Sequence, residues 1–145
     1  MTTQSSLQNI RPLEILAVDD DYTWRYLIAS NLESDLGTIP VLAATGTEAL
    51  EIMAERPIDV VICDLLMPGM DGLQFLKRAQ NLFRRTKVIL LSAEFDAFPI
   101  PAESLIAQGA LAAIRKTEIS STLIPMLQLL QASPDMVAPK PEPGT

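Results

Sequence analysis

Short apolar runs alternate with stretches of helical period along most of the chain. Residues 14–18 (EILAV) read as a short buried strand, stopped by three aspartates. Residues 22–36 place Leu27, Ile28, Leu32 and Leu36 at helical spacing, and Gly37 follows as a stop. Residues 39–43 form a weaker strand, because Pro40 suits only its edge or start. Thr45-Gly-Thr-Glu48 has the spacing of a capping box and opens a helix to about residue 55. Residues 59–63 (DVVIC) are the most strand-like run, and Asp71 caps a helix over residues 72–82. Residues 87–91 (KVILL) make a fourth strand, and Pro101 starts a short helix that ends before Gly109. Residues 112–115 make a fifth strand. Ser120 or Ser121 then caps a last helix to about residue 131, with Pro125 tolerated near its first turn.

The order is strand then helix, five times over. Strands apolar on both faces imply a five-stranded parallel sheet with helices on each side, a doubly wound α/β sandwich. The pattern places this domain over residues 13–132. Residues 1–12 are polar and end at Pro12, a flexible N-terminal segment. Residues 133–145 (SPDMVAPKPEPGT) hold four prolines and no apolar period, which favours an extended tail or linker.

Composition narrows the function. The 145 residues are 48% hydrophobic and 20% charged, a globular balance. Eleven Lys and Arg stand against eighteen Asp and Glu, a net charge of −7, so no basic excess exists to neutralise nucleic acid. The absence of histidine excludes a Ser-His-Asp or Cys-His triad, histidine-ligated zinc and a phosphohistidine carrier. One cysteine, Cys63, excludes an internal disulfide and suits a reducing cytoplasm. It falls inside a strand, where a buried inert thiol is expected. No long apolar run or secretory leader pattern is present, so neither a membrane span nor export is expected.

In doubly wound sheets, ligands bind beyond the carboxyl ends of the strands. Asp19, Asp20 and Asp21 follow the first strand, Asp64 the third, Ser92 the fourth and Lys116 the fifth. One crevice would therefore collect carboxylates, a hydroxyl and an ammonium. Clustered carboxylates repel one another, and a hard divalent cation such as Mg²⁺ is the natural compensation. Lys116 supplies a point charge apt for a phosphoryl group. An ionised aspartate beside Mg²⁺ can attack phosphorus to form an acyl phosphate, and Ser92 can donate to a phosphoryl oxygen. Taken singly, an acidic run is a solvated loop, Asp64 is turn chemistry and a lone lysine is surface; jointly they describe a phosphoryl acceptor.

Val18-Asp-Asp20, Asp64-Leu-Leu-Met-Pro-Gly-Met-Asp-Gly72, Leu91-Ser-Ala93, and Gly109-Ala110 ahead of Lys116 resemble the receiver domain of two-component response regulators, of the single-domain type. The resemblance covers roughly residues 13–132. It implies a flavodoxin-like fold and phosphoryl transfer from a histidine kinase or histidine phosphotransfer protein. It also implies a cytoplasmic signalling domain rather than an enzyme. By resemblance Asp64 is the phosphoacceptor, Asp20 binds Mg²⁺ directly and Asp19 through water. The Leu66 backbone carbonyl completes the metal set, and Ser92 and Lys116 bind the phosphoryl group. The position directly after Val18 favours Asp19 and Asp20 for the acidic pair, leaving Asp21 to start the first helix.

The chain departs from the family pattern in three places. Thr117 stands where a proline usually follows the lysine, so the turn there is expected to be trans and differently shaped. Ala113 stands where a switching Tyr or Phe is usual. Residues 94–101 (EFDAFPIP) carry two prolines, with Phe95 and Phe98 expected to pack the loop on the core. In the last helix Leu123, Leu127 and Leu130 form a stripe toward the sheet. Met126 and Leu129 lie on another face, a candidate surface for a downstream protein partner or a homodimer unless the tail covers it. Trp24 and Tyr26, in the first helix, are either docking anchors for the kinase or core residues. No output domain follows residue 132 within the chain, so signalling through protein contacts is expected. The alternative is a receiver-like interaction module that works without phosphorylation. A haloacid-dehalogenase-type phosphatase would want an aspartate where Leu66 stands. A flavodoxin's phosphate loop would be repelled by the three aspartates.

Overall fold

The computed structural model describes residues 12–93 and 101–133. Its strands are β1 (Ile15–Val18), β2 (Val41–Ala43), β3 (Val60–Asp64), β4 (Lys87–Ser92) and β5 (Ala112–Arg115). Its α-helices are α1 (Tyr22–Leu36), α2 (Gly46–Glu55), α3 (Gly72–Leu82), α4 (Ala102–Ala107) and α5 (Ile124–Ala132). The strands form one sheet in the order β2-β1-β3-β4-β5, and every neighbouring pair is parallel. The chain runs outward from β1 to β2 and then returns past β1 to β3. That reversal makes the gap between β1 and β3 the topological switch point, where the sheet's crevice opens.

Alternation along the strands divides the core in two. Leu16, Val18, Val61, Cys63, Val88 and Leu90 face one layer, with Met53 of α2, Phe75 and Leu76 of α3, and Leu105 of α4. Ile15, Ala17, Ile62, Ile89, Leu91 and Ile114 face the other, with Ile28 and Leu32 of α1 and Leu127 and Leu130 of α5. Both faces of β1, β3 and β4 are buried, which is why their sequences read as unbroken apolar runs.

The local signals that set helix ends behave as their chemistry requires. Asp21 caps α1 by accepting the N–H groups of Thr23 at 2.8 Å and Trp24 at 3.2 Å. Gly37, at φ 71°, ends it, and the Thr38 N–H reaches back to the Leu32 carbonyl. Asp71 and Gln74 form a reciprocal capping box on α3.

Several expectations need correction. The second strand begins at Val41, leaving Ile39 and Pro40 outside it, because Pro40 has no N–H for the ladder. Thr45 does cap α2 through the Glu48 N–H, but the Glu48 carboxylate takes the Ala44 N–H instead of that of Thr45, so the box is displaced by one residue. Ser120 and Ser121 cap nothing. Helical winding starts at Lys116, as a 3₁₀ turn (Lys116–Glu118), and passes through a π-helical turn (Ile119–Leu123) into α5. Buried Ile119 and Leu123 seat that turn on the sheet, and both serines lie within it. No described peptide bond is cis, so Lys116–Thr117 is trans, as Thr117 in place of proline implies.

Leu123, at the end of the π-helical turn, and Leu127 and Leu130 on α5 are buried as expected, and Ile124 joins them. The outward apolar surface reduces to Leu129, 69% exposed, and a half-buried Met126. Phe95 and Phe98, with most of the Pro-containing stretch, lie outside the described residues. So do residues 1–11 and 134–145 at the two ends. No described helix is long and apolar enough to cross a membrane.

Candidate functional site

Strand register brings the chemistry together. Val18 pairs with Cys63, so Asp19 and Asp64 leave β1 and β3 at the same level, on the two sides of the switch point. Asp64 pairs with Leu91, which puts Ser92 one residue further along β4. Ser92 in turn pairs with Arg115, so Lys116 follows at the end of β5. Asp19, Asp64, Ser92 and Lys116 are all buried, although the surrounding core is apolar.

Carboxylate oxygens of Asp19, Asp20 and Asp64 all lie within 4.8 Å of one another. Asp19 and Asp64 are buried and Asp20 is open to solvent. Asp19 Oδ1 accepts the Asp21 N–H at 2.9 Å, which fixes its carboxylate plane. The Asp19 carbonyl accepts from Arg25 Nη1 at 2.7 Å, tying the same loop to α1. The Asp21 carboxylate is committed to the helix end. It therefore stands apart from the cluster, as the position after Val18 suggests.

Lys116 Nζ lies 2.7 Å from Asp19 Oδ2 and 3.3 Å from Asp64 Oδ1, and both pairs are buried. The approach to Asp19 Oδ2 is a close, buried ion pair off the ideal hydrogen-bond direction. Burial pushes the Asp64 carboxyl up to about 6, and the neighbouring Asp19 charge adds to the rise. The Lys116 ammonium opposes both effects without cancelling them. One ammonium thus stands among three carboxylates.

The donor set fits a hard divalent cation. It offers oxygen atoms only, from two buried carboxylates and a solvent-facing one where water ligands can remain. Leu66, expected to lend its carbonyl, follows Asp64 by two residues on the turn toward Gly69, its side chain 45% exposed. Gly69 has φ 77°, and a Cβ at Gly72 would collide with the Asp64 carbonyl and Leu65 Cα, both at 2.7 Å. The turn therefore needs glycine at both ends, at Gly69 for its backbone angle and at Gly72 for the close approach to the Asp64 loop.

Two contacts at the site went unread in the sequence, although Trp24 itself was singled out as a docking anchor or core residue. Trp24 presents its ring to Lys116 Nζ, 4.8 Å from the centroid, and Arg25 holds the Asp19 carbonyl. Their signal was the run from Asp19 into α1, since the first turn of that helix must pass beside the acidic loop. Tyr22 and Tyr26 are 73% and 62% exposed, and neither is core. A cavity of about 300 Å³ lined by Asp35, Leu36, Gln128, Gln131 and Ala132 lies at the opposite end of α1 from these carboxylates.

The family model of the response regulator receiver domain matches residues 15–128. The chain is 41% identical over 80 residues to the Regulator of RpoS of Escherichia coli strain K12, covering 55% of this chain and 23% of that protein. It is 40% identical over 82 residues to a putative response regulator NtrX-like of Rickettsia felis, covering 55% of this chain and 17% of that protein. The chain thus spans under a quarter of either curated relative. Among solved structures, a response regulator receiver domain protein from Clostridium thermocellum superimposes with a TM-score of 0.75 at 28% identity, covering 86% of this chain and 98% of that one.

Proposed function

This chain belongs to the response regulator receiver domain family of two-component systems, and on that premise we propose that Asp64 accepts a phosphoryl group from a histidine kinase or histidine phosphotransfer protein. The observation that carries the reading is the juxtaposition of Asp64 with a cation-ready acidic pair and a buried ammonium. A carboxylate in that position has a nucleophilic oxygen, a counter-charge and, beside it, the solvent-facing Asp20.

Asp64, Asp19 and Asp20, with the Leu66 carbonyl, are the ligands assigned to Mg²⁺. When bound, the ion offsets the negative charge on these carboxylates and on the oxygens of the incoming phosphoryl group. The chain's own residues do the rest. A carboxylate oxygen of Asp64 forms the new bond to phosphorus as the donor's P–N bond breaks, and the departing imidazole takes a proton from solvent. Lys116 and the Ser92 hydroxyl hold the phosphoryl oxygens, so charge that develops during transfer meets fixed donors. The acyl phosphate adds charge at a buried sheet edge and biases the loops there, which is the signal.

Residues 13–132 are assigned as the domain, with the segments outside them as flanking chain. Partners are the phosphodonor and a downstream protein that reads the site's loops. A donor of that kind works in the cytoplasm. A homodimer through α5 is not part of this reading, since Leu129 is the one large apolar side chain strongly exposed on that helix. Ala113 leaves no aromatic ring in β5 to follow Ser92, so output runs through the loops themselves.

The test is intact mass after incubation with a small phosphodonor, with and without Mg²⁺, beside Asp64→Asn. One phosphoryl addition that requires Mg²⁺ and disappears in the variant is expected. Folded protein that gains no mass under any condition would overturn the reading in favour of an interaction module that works unphosphorylated.

A further inference from the structure

Two carboxylates and one aromatic ring lie against the Lys116 ammonium, and the carboxylates have another task. Asp19 and Asp64 are its ionic partners, at 2.7 and 3.3 Å. Both also belong to the carboxylate cluster that fits a divalent cation. The third neighbour is the indole of Trp24, whose centroid is 4.8 Å from the ammonium. A ring face attracts an ammonium through its quadrupole but cannot ligate a hard cation. The Trp24 contact therefore stays the same whether the carboxylates are free or engaged.

The backbone around Lys116 gives this contact work to do. Thr117 replaces a stiffening proline, the peptide bond is trans, and the lysine opens a short 3₁₀ turn. A four-carbon stem on such a turn has many rotamers to restrain. Trp24 is well anchored for the purpose. Its N–H is held by the Asp21 cap, its half-buried ring packs on the core layer of Ile28 and Ile114, and Arg25 binds the loop that carries Asp19.

We infer that Trp24 is a positioning residue, holding the Lys116 ammonium at the phosphoryl site while Asp19 and Asp64 are engaged elsewhere. This rests on the reading of Asp64 as phosphoacceptor.

Two measurements test it. The first needs no phosphorylation. The chain has four lysines, so the Lys116 ε-methylene signal can be assigned by loss in Lys116→Arg. It should be displaced upfield by the indole ring current, stay displaced when Mg²⁺ is added, and return to the ordinary lysine position in Trp24→Leu. The second is a double-mutant cycle on the rate of phosphorylation by a small phosphodonor, where no kinase docking can contribute. Trp24→Leu should slow the reaction between about two- and thirtyfold, the range of a partly buried cation–π contact. Trp24→Phe should restore most of the rate, and in a Lys116→Met background Trp24→Leu should add nothing further.

A methylene signal that loses its displacement on adding Mg²⁺ would overturn the inference. So would a Trp24→Leu deficit that persists undiminished without Lys116, which would mark a general structural role. Both leave the acceptor reading standing. A wild-type chain that takes up no phosphoryl group removes the acceptor reading and this inference together.

Discussion

The Lys116 ammonium lies 3.3 Å from Asp64 Oδ1 at the buried edge of the sheet, the nearest positive charge to that carboxylate. Asp64 is nonetheless raised to about 6, because burial and Asp19 together outweigh it. Lys116→Met removes the opposing charge and leaves the other two causes in place. The apparent pKa of Asp64 should then climb by a further one to three pH units or so, the usual effect of losing a close counter-charge. Carbon-13 titration of the aspartate carboxyls without divalent ions reads this directly. An unchanged midpoint would mean that the ion pair is absent in solution.

Two glycines beside the site should respond oppositely to alanine. At Gly72 an added Cβ meets backbone atoms of Asp64 and Leu65 at 2.7 Å, and neither can move without displacing the loop that carries Asp64. Gly72→Ala should cost about 1–3 kcal/mol and lower the urea midpoint accordingly. At Gly46 the obstacle is Met70 Sδ, also at 2.7 Å, but that atom ends a flexible side chain. Gly46→Ala should stay within about 1 kcal/mol of wild type, since the helical preference for alanine offsets the rearrangement. Equal midpoints for the two variants would show that the turn after Asp64 is not packed as described.

Cys63 offers a gauge of how tightly the site edge is closed. Its side chain is fully buried, its Sγ lies 3.2 Å from the Asp64 carbonyl, and burial, with Asp64 next, pushes its thiol well above the ordinary range. The protonated, inaccessible thiol should resist iodoacetamide at pH 8 and react fully once the chain is unfolded in urea. Mass spectrometry over time distinguishes the two states. Prompt alkylation of native protein would show that β3 opens next to Asp64.

The architecture was legible because β1, β3 and β4 are buried on both faces and bounded by Asp, Gly and Pro, so pattern and fold agree. Asp19, Asp20, Asp64, Ser92 and Lys116 could be gathered from sequence because a parallel sheet places every strand's end on one side. The start of the last helix was misjudged for a physical reason. Serine is a good cap in isolation, but Ile119 and Leu123 were already drawn onto the sheet, and tertiary burial determined where winding began. The Trp24–Lys116 contact spans 92 positions in the chain and leaves no periodic trace, so only the folded geometry displays it.

The raised carboxyl of Asp64 also sets the sign of a stability change with pH. Its ordinary value is 3.8 and its folded value about 6, so the folded state holds the proton more tightly than the unfolded one. Between roughly pH 4 and 6 the unfolded chain releases that proton first, and stability falls as pH rises through this window. Above it the loss is complete, at most about 3 kcal/mol at 1.36 kcal/mol per pH unit of difference and less to the extent that solvent screens the site. Asp64→Asn never ionises and escapes the loss. Without divalent ions the variant should therefore be more stable than wild type at pH 7, by up to about 3 kcal/mol, with the gap closing toward pH 4. Adding Mg²⁺ should narrow the gap at pH 7, because an ion that binds only the folded wild-type site stabilises it by mass action. Urea denaturation of both proteins across this range measures the difference, and a gap that does not vary with pH would refute a strained, ionised Asp64.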